Sequence, residues 1–563
     1  MDEAKVLLLL GWHLVLTGLP AIAAALYAAR RGLDSVPILL AIALAASGAV
    51  GILGFWTYFA DPLVGETFSF LVIFGSLALA GWSLFGGRLN RGLLEDLATP
   101  FALWALGCAF LLMLGFLHGG SDTPLSTAIN RFSGPLPGDH DIPRYFAEWF
   151  YENGHSGTPP LFPGEWHFSD RPPLQSGYAL SQRALGWDSY GLNYHILAVV
   201  LQQLWIVGLW ALLSAAGLRR VTRGLATVAV LLSSLAILNG FFVWPKLLPA
   251  AFLLAAAALV LTPLWEQVRR SVWGAALVAA LCGLAMLGHG SSVFGIVPLA
   301  IVAAYRGLPS LRWLGVGVAV GIALLAPWSA YQKWEDPPGN RLMKWTLAGV
   351  VEIDERGTLE AISDSYGEIG LGGAIDNKVE NLKTIAGWKV APETLSNALD
   401  TGDAEEVVNA IRVNNFFYLL PSMGLLLLAP FAMAFAAARR RPREPAEWSF
   451  ALVSFLVFGV GALLWALIVY GSIELRAVIH VGSYLLPILG MAGAVAGLRA
   501  AFPRFSLYYV GLAAALSLAV YVPAFEPPPE TSYSLLAAIL CAAALAAFGT
   551  VAIRGGRRGT QEK

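Results

Sequence analysis

Two aspartates separated by one residue mark the stretch of this chain best suited to chemistry. The stretch reads Gly138-Asp139-His140-Asp141-Ile142-Pro143-Arg144-Tyr145, and Glu148 follows it. Paired carboxylates can take a proton from a hydroxyl group, or they can hold a divalent cation such as Mg2+ or Mn2+. A carboxylate acts as a base only when it is ionised, and the nearby guanidinium of Arg144 favours that state. Asp141 is therefore our first candidate for a general base, and Asp139 the second.

The same residues also fit two structural explanations. Asp141 comes just before Ile142-Pro143, a context in which aspartate commonly caps a helix, and Asp139 with His140 could form a solvated turn. Apolar side chains then recur at helical spacing, which predicts an amphipathic helix lying at a membrane interface: Ile142, Tyr145, Phe146, Trp149 and Phe150. In each explanation Asp141 stands at the start of that helix.

Basic residues in three other segments could bind an anionic group. Arg171 belongs to Asp170-Arg171-Pro172-Pro173-Leu174, in which two prolines fix an extended bend. Lys246 precedes an apolar run, and Arg476 precedes another, with His480 one turn further on. His289 lies between two glycines, where it could face the same cavity or serve as a structural histidine. The cations suit a lipid-linked phosphate, although each could instead snorkel or pair with a neighbouring acid.

The elements that carry these residues are helices in an apolar chain. Of its 563 residues, 57% are hydrophobic and 13% charged, against about 25% charged in average soluble domains. The net charge of -1 gives no support for a nucleic-acid partner. Because a span needs about 20 apolar residues, we predict an all-α polytopic membrane protein with about fifteen transmembrane helices, at residues 6–29, 36–59, 66–86, 98–117, 192–216, 224–242, 247–264, 272–288, 291–305, 313–331, 415–437, 448–470, 478–498, 506–523 and 533–553. The stretch 272–305 could be two short helices hinged at 288–291, or one long span with a re-entrant piece.

Basic residues alternate from one side of these spans to the other. Alternate loops carry 20 of the 28 arginines, whereas the short loops between them hold only Lys5, Lys246 and Arg476. Because basic loops stay in the cytoplasm, the N-terminus is expected outside and the C-terminus inside. Residues 118–191 and 332–414 then form two large extracytoplasmic loops. High Ala, Leu, Gly and Arg content points to a bacterium with a GC-rich genome, and so to its plasma (inner) membrane.

We divide the chain into four parts on this basis. They are additional N-terminal transmembrane helices (1–97), a transmembrane core with the catalytic outer loop 118–191 (98–331), an extracytoplasmic cap (332–414) and C-terminal transmembrane helices (415–563). Helix-like stretches are expected in the cap near 375–386 and 391–412. No single residue of the cap stands out, and its expected role is to cover the cavity and bind an acceptor.

The order of motifs in the first loop resembles the GT-C superfamily of integral membrane glycosyltransferases. The resemblance is closest to the branch of aminoarabinose transferases and protein mannosyltransferases, whose first outer loop has Asp-Glu, then Arg-Tyr, and later a Glu-Lys-Pro-Pro-Leu-type sequence. Here Asp141 falls where the first acid would be, Arg144-Tyr145 follow it, and the later motif is matched by Asp170-Arg171-Pro172-Pro173-Leu174.

The chain departs from that pattern in two respects. Ile142 replaces the second acid of the motif, while Asp139 precedes it instead. The loop follows the fourth predicted span rather than the first, so the spans within 1–97 look like an addition. By motif the resemblance covers residues 98–180.

The resemblance implies transfer of a sugar from a polyprenyl-phosphate donor to an envelope glycan, lipid or protein, with inversion in a single displacement. Asp141 would deprotonate the acceptor hydroxyl, with Asp139 assisting or holding a divalent cation, which many superfamily members do not need. The departing phosphate would be held by Lys246, Arg476 or Arg171. The remaining cavity residues would be His140, Arg144, Tyr145, Glu148, Asp170, His289 and His480. Membrane lipids would surround the site.

Three other functions stay open to the sequence. A transporter or flippase of lipid-linked glycans would need charged or polar residues deep in several spans, and the span interiors here are nearly free of charge. An O-antigen-type polymerase or ligase would use arginines as its main catalysts instead of an aspartate. A non-catalytic scaffold would tolerate the loss of Asp139 and Asp141.

Overall fold

The protein is helical throughout the part that the structure describes. A computed structural model describes residues 3–85, 89–120, 122–132, 136–186, 191–388, 390–439, 444–471, 484–523 and 533–555. Every regular element within these ranges is a helix, and the one β-type pairing there is an isolated bridge between Phe162 and Trp166.

The N-terminal part forms four long helices followed by three short ones. The long helices are α1 (Glu3–Arg30), α2 (Val36–Ala60), α3 (Pro62–Leu84) and α4 (Arg91–Gly115). The short helices are α5 (Pro124–Phe132), α6 (Ile142–Asn153) and α7 (Leu174–Arg183), with single 3-10 turns at Gly138–Asp141 and Phe168–Asp170. The amphipathic helix predicted near Pro143 is α6, which buries Ile142, Phe146 and Phe150.

The middle of the chain supplies the centre of the bundle. Its helices are α8 (Leu192–Gln202), α9 (Trp205–Ala215), α10 (Arg220–Leu231), α11 (Ser234–Phe242), α12 (Leu247–Val260), α13 (Trp265–Val268), α14 (Val272–Gly288), α15 (Val293–Arg306) and α16 (Leu311–Trp334). Every residue of α12 is buried, so this apolar helix lies inside the others. The stretch 272–305 forms two helices that meet at His289, as in the first of its two interpretations.

The second long segment and the C-terminal part complete the bundle. Segment 332–414 holds α17 (Arg341–Ala348), α18 (Thr358–Ala386), α19 (Val390–Thr401) and α20 (Ala404–Phe417). The predicted stretch 375–386 is the end of the longer α18, and 391–412 is divided between α19 and α20. The chain continues through α21 (Leu419–Ser422), α22 (Ala429–Arg439), α23 (Pro445–Ile468), α24 (Leu485–Ala501), α25 (Phe505–Tyr521) and α26 (Leu535–Arg554).

Each of the predicted spans contains an apolar helix, but the helices differ in length. Eight in the described residues are long and apolar enough to cross a membrane, counting α8 and α9 as one, and the pair α10 and α11, bent by 56°, would make a ninth. The other predicted spans hold apolar helices of 10–17 residues. At 1.5 Å per residue these are shorter than the roughly 30 Å hydrocarbon layer. The chain is thus an all-α protein of the polytopic membrane type, and the count of about fifteen spans stays a prediction.

Part of the predicted first loop lies within the helical bundle. Helix α7 packs along α2, where a side chain at Gly177 would come within 2.0 Å of the carbonyl oxygen of Gly51. Only glycine allows such a close approach of two helix backbones. Next to this contact, the hydroxyl groups of Tyr178 and Ser47 lie 2.8 Å apart. Helices α1–α3 therefore support the elements of the predicted site directly, and the boundary at residue 97 stays a prediction.

The two long segments, 118–191 and 332–414, contact each other. Asp336, almost fully buried, accepts hydrogen bonds from the backbone N–H of Ser169 at 2.9 Å and contacts His167 Nδ1 at 2.8 Å. The guanidinium of Arg341 donates to the carbonyl of Glu165 at 2.7 Å. Segment 332–414 thus holds residues 165–169 in place.

Two buried arginines bind the C-terminal end of α25. Arg412 donates to the carbonyl of Val520 at 2.6 Å and to that of Pro523. Arg131 donates to the carbonyls of Tyr521 and Val522 at 3.2 and 2.6 Å. The last carbonyls of a helix lack intrahelical partners and carry partial negative charge. The arginines satisfy these groups where little water reaches them.

We expect Arg412→Met to destabilise the protein by about 2–3 kcal/mol, because it leaves buried carbonyls without donors. Thermal unfolding in detergent would measure the loss. Arg91→Met is the control, because Arg91 is exposed and its ion pair with Glu95 lies on the surface, an interaction worth about 0–1 kcal/mol. Equal melting temperatures for the two variants would contradict a role for Arg412 in holding α25.

Candidate functional site

The 3-10 turn Gly138–Asp141 gives its two aspartates different partners. Residues two apart in such a turn point about 120° away from each other. Asp139 Oδ2 accepts a hydrogen bond from Arg171 at 2.7 Å. Asp141 accepts two from Arg144, at 2.5 and 2.7 Å. The two carboxylates therefore face different surroundings although they belong to one turn.

The capping explanation for Asp141 does not fit its contacts. Asp141 occupies the position before α6, yet its side chain makes no hydrogen bond to the first-turn N–H groups of that helix, which the structure describes in full. Asp61, which directly precedes a proline, shows what capping looks like, because its carboxylate accepts from the N–H groups of Leu63 and Val64. Arg144, rather than the backbone, holds the Asp141 carboxylate.

On the Asp139 side, two arginines stack on one indole ring. The guanidinium carbons of Arg171 and Arg341 lie 4.4 and 4.1 Å from the centroid of Trp166. Arg341 also approaches the Asp170 carboxylate at 3.9 Å. Burial raises the pKa of Asp170, and hydrogen bonding from the His167 N–H together with the two arginines opposes that rise. These contacts join both long segments of the chain, 118–191 and 332–414.

Lys246 lies near Arg171 and Asp139 and is fully buried. Its amine contacts Nε2 of His289 and lies 4.0 Å from the centroid of the Trp244 ring. Burial is the main cause that lowers the pKa of Lys246; the positive charge of Arg171 lowers it further, and Asp139 opposes the shift. The structure therefore brings together Asp139, Arg171, Lys246 and His289, which come from three distant parts of the sequence.

Hydrogen bonds assign the proton positions in the Lys246–His289 pair. Nδ1 of His289 accepts from the backbone N–H of Ser291 at 3.2 Å. Burial and the charges of Lys246 and Arg171 lower the pKa of His289, so its ring is neutral. A neutral ring that accepts at Nδ1 carries its proton on Nε2, and that nitrogen faces the amine of Lys246.

A chain of buried hydrogen bonds connects the aspartate turn to the helix that follows Lys246. The hydroxyl of Tyr194 donates to the carbonyl of His140 at 3.0 Å, and Gln175 donates to that hydroxyl at 2.9 Å. Gln202 donates to Gln175 at 2.9 Å. The first-turn N–H groups of α12, at residues 247 and 248, donate to Gln202 Oε1 at 2.9 and 3.1 Å. This chain fixes both aspartates relative to Lys246.

The backbone beside Lys246 is held in an uncommon conformation. Val243 has φ +58°, a left-handed conformation that β-branched residues rarely adopt. Gln175, which donates to Tyr194, also donates to the carbonyl of Val243 at 3.1 Å. Strained backbone of this kind persists only where the surroundings enforce it, and it concentrates at functional sites. The strained residue and the hydrogen bonds of Gln175 therefore both belong to the backbone segment that carries Lys246.

The other predicted site residues are placed as follows. Glu148 pairs with Arg183 at 3.1 Å on the Asp141 side. His140 is buried with its ring against Phe242, and burial lowers its pKa. Tyr145 donates to the carbonyl of Leu161 at 3.3 Å. Two predicted residues, Arg476 and His480, lie outside the described residues.

No metal centre is formed by the residues that the structure describes. Within them, no three His, Cys, Asp or Glu side chains converge in the manner of a metal site. Asp139 and Asp141 each engage an arginine. A cation held by these two acids stays a prediction from the sequence.

Several residues of the site were missed by the sequence analysis. Gln202 and Tyr194 lie in a stretch taken as an apolar span, and polar residues within spans are a signal that could have singled them out. Asp336 and Arg341 flank Pro337-Pro338, as Asp170 and Arg171 precede Pro172-Pro173. Their similarity to the motif Asp170-Arg171-Pro172-Pro173 was the available signal in the segment 332–414.

Comparisons of the chain with protein-family models, with curated proteins and with solved structures find no match.

We expect the hydrogen bond between Gln175 and Gln202 to couple their contributions to stability. Gln175→Met or Gln202→Met alone leaves the other amide unsatisfied, at about 1–3 kcal/mol each, whereas the double variant removes both groups. The double variant should therefore lose less stability than the two single variants combined, by about 0.5–3 kcal/mol in thermal unfolding. Gln202→Met combined with Asn381→Leu is the control, because Asn381 binds α23 elsewhere. Additive losses in both pairs would contradict the connected chain.

Proposed function

We propose that this chain is a GT-C-type glycosyltransferase that uses a polyprenyl-phosphate sugar as its donor. One observation carries the proposal: Arg171, Lys246 and His289 converge beside the Asp139–Asp141 turn although they are far apart in sequence. Buried cations next to a carboxylate suit a reaction in which one group leaves as phosphate and another loses a proton. The resemblance of the motifs to the superfamily supports the same conclusion.

The proposed reaction is one displacement at the anomeric carbon. The Asp141 carboxylate takes the proton of an acceptor hydroxyl while its oxygen forms the new glycosidic bond. The bond from the anomeric carbon to the donor phosphate breaks, and the polyprenyl phosphate leaves with the electron pair. Arg171 and the protonated Lys246 stabilise the charge that develops on that phosphate. Asp139 orients Arg171 through their hydrogen bond.

Sugar transfer should depend far more on Asp141 than on Asp61, an aspartate that caps a helix. Asp141→Asn should lower the rate by about 10²–10⁴-fold, the usual contribution of a general base. The assay follows a panel of labelled polyprenyl-phosphate sugars into native envelope acceptor in membranes. Asp61→Asn is the matched control, because asparagine caps a helix nearly as well as aspartate and Asp61 caps α3. It should retain full activity.

The outcomes of this assay separate the alternatives. Full activity in Asp141→Asn together with loss in Asp139→Asn would transfer the role of base to Asp139. Full activity in both variants would remove the aspartates from the mechanism. If wild-type protein transfers sugar from no donor, the proposed function fails, and transport of lipid-linked glycans becomes the function to test.

Binding of the donor phosphate should weaken as pH rises. The pKa of Lys246 is lowered in the free protein, so anion binding is coupled to protonation of the amine. Above that lowered pKa the dissociation constant should rise, by up to about tenfold per pH unit for one proton. Methyl farnesyl phosphate is a suitable ligand, because a phosphodiester keeps its charge across the range.

Lys246→Met is the comparison variant for this titration. It should bind the phosphodiester more weakly than wild type, with a dissociation constant that does not change with pH over the same range. Parallel curves for wild type and variant would show that Lys246 takes up no proton on binding, and its assignment to the phosphate would then be withdrawn.

A further inference from the structure

The second half of α18 carries a row of exposed apolar side chains. Helix α18 breaks at Gly370, where φ is +61° and ψ is -172°, so residues 371–386 form a helical stretch of their own. Four apolar side chains recur there at the spacing of one helix face, and each is 43–79% exposed: Leu371, Ile375, Val379 and Leu382. We call these four residues the apolar stripe. A contiguous exposed face of this kind marks a surface that contacts a partner or a membrane.

Hydrogen bonds attach this stretch to the end of a candidate membrane span. Helix α23 is one of the eight long apolar helices, and it ends at Ile468. Asn381, which is buried, donates to the carbonyls of Ala466 and Val469 at 2.9 and 2.8 Å. Lys378 donates to the same carbonyl of Val469 at 2.6 Å. Carbonyls at the end of a helix lack partners within it, so α18 satisfies them and lies at the level where the span ends.

Exposed apolar side chains flank this contact on both helices. Leu382, a member of the stripe, comes directly after Asn381. On α23, Leu467 and Ile468 come directly after Ala466, and they are 51% and 43% exposed. Exposed leucine and isoleucine on a membrane-spanning helix face the hydrocarbon of the bilayer. The stripe therefore continues the lipid-facing surface of α23 beyond the end of that span.

A charged edge runs along the same stretch beside the stripe. Asp376 is exposed, and Lys383 forms an ion pair with Glu380. Trp388, which is 74% exposed, stands just after the stretch, and tryptophan is enriched at the boundary between membrane and water. A helix with an apolar edge next to a charged one is typical of helices that lie in the plane of the bilayer surface. The stripe then faces lipid while the charged edge faces water.

From these observations we infer that the apolar stripe of α18 binds the surface of the lipid bilayer, with its side chains between the lipid head groups and the acyl chains. The inference goes beyond the proposed function and does not depend on it, because it requires only that α23 spans a membrane. Helix α17, which begins at Arg341, packs against α18. Insertion of the stripe thus also holds Arg341 and its partner Glu165 near the bilayer surface.

Spin labels on the full-length protein test this placement without any assay of activity. Each label is attached to a single new cysteine, in a background where alanine replaces the three native ones, Cys108, Cys282 and Cys541. Ile375→Cys and Leu382→Cys place the label on the stripe. Asp376→Cys is the matched control, because it is exposed on the charged edge of the same helix. The protein is reconstituted in phosphatidylcholine nanodiscs with one copy per disc, which keeps a second copy away from the stripe.

The measured quantity is the collision rate of each label with oxygen, which concentrates in lipid, divided by its collision rate with a polar nickel chelate, which stays in water. This ratio should be severalfold higher at both stripe positions than at Asp376→Cys. Equal ratios at positions 375, 376 and 382 would place the stripe in water and overturn the inference. Stripe labels that neither agent reaches would show that protein covers the stripe, which also overturns it. Because the stripe is probed at two positions, poor folding of one variant leaves the comparison intact.

Discussion

A buried amide in an apolar bundle must find hydrogen-bond partners, and two glutamines meet this requirement by joining the aspartate turn to the centre of the bundle. Gln202 accepts from the first-turn N–H groups of α12, which have no partner within their own helix. Gln175 and Tyr194 extend the chain to the carbonyl of His140. Each unmade bond would cost about 1–3 kcal/mol. Lys246 and the aspartates therefore keep one relative placement.

This placement also depends on a contact between two helix backbones. Gly51 and Gly177 let α7 pack against α2 at a distance that no side chain would permit. Helix α7 carries Gln175 at its first turn and follows Arg171 by three residues. A larger residue at either glycine would push Gln175 away from Gln202 and Arg171 away from Asp139. The helices within 1–97 thus shape the site through packing, although they carry none of its predicted residues.

The sequence predicted what depends on local pattern and missed what depends on distant contacts. Apolar runs placed the helices, because hydropathy and helical spacing are local properties. The residue types around Asp139 and Lys246 indicated a carboxylate and a cation at one site. Their partners were not predictable, since Asp336 meets His167 across 169 residues. Similarly, Asp61 and Asp141 each come shortly before a proline at a helix start. Of the two, Asp61 has the extended backbone and the hydrogen bonds of a helix cap, whereas Asp141 has helical backbone and binds Arg144.

The two sides of the aspartate turn differ in the way that the single displacement we propose would require. Cations and indole rings surround Asp139, whereas Asp141 is paired with Arg144. A nucleophile that inverts an anomeric carbon approaches from the face opposite to the leaving group. A base and a phosphate site in one shared pocket would place both groups on the same face. In the 3-10 turn each residue is rotated by about 120° from the one before it, so Asp139 and Asp141 point to different sides.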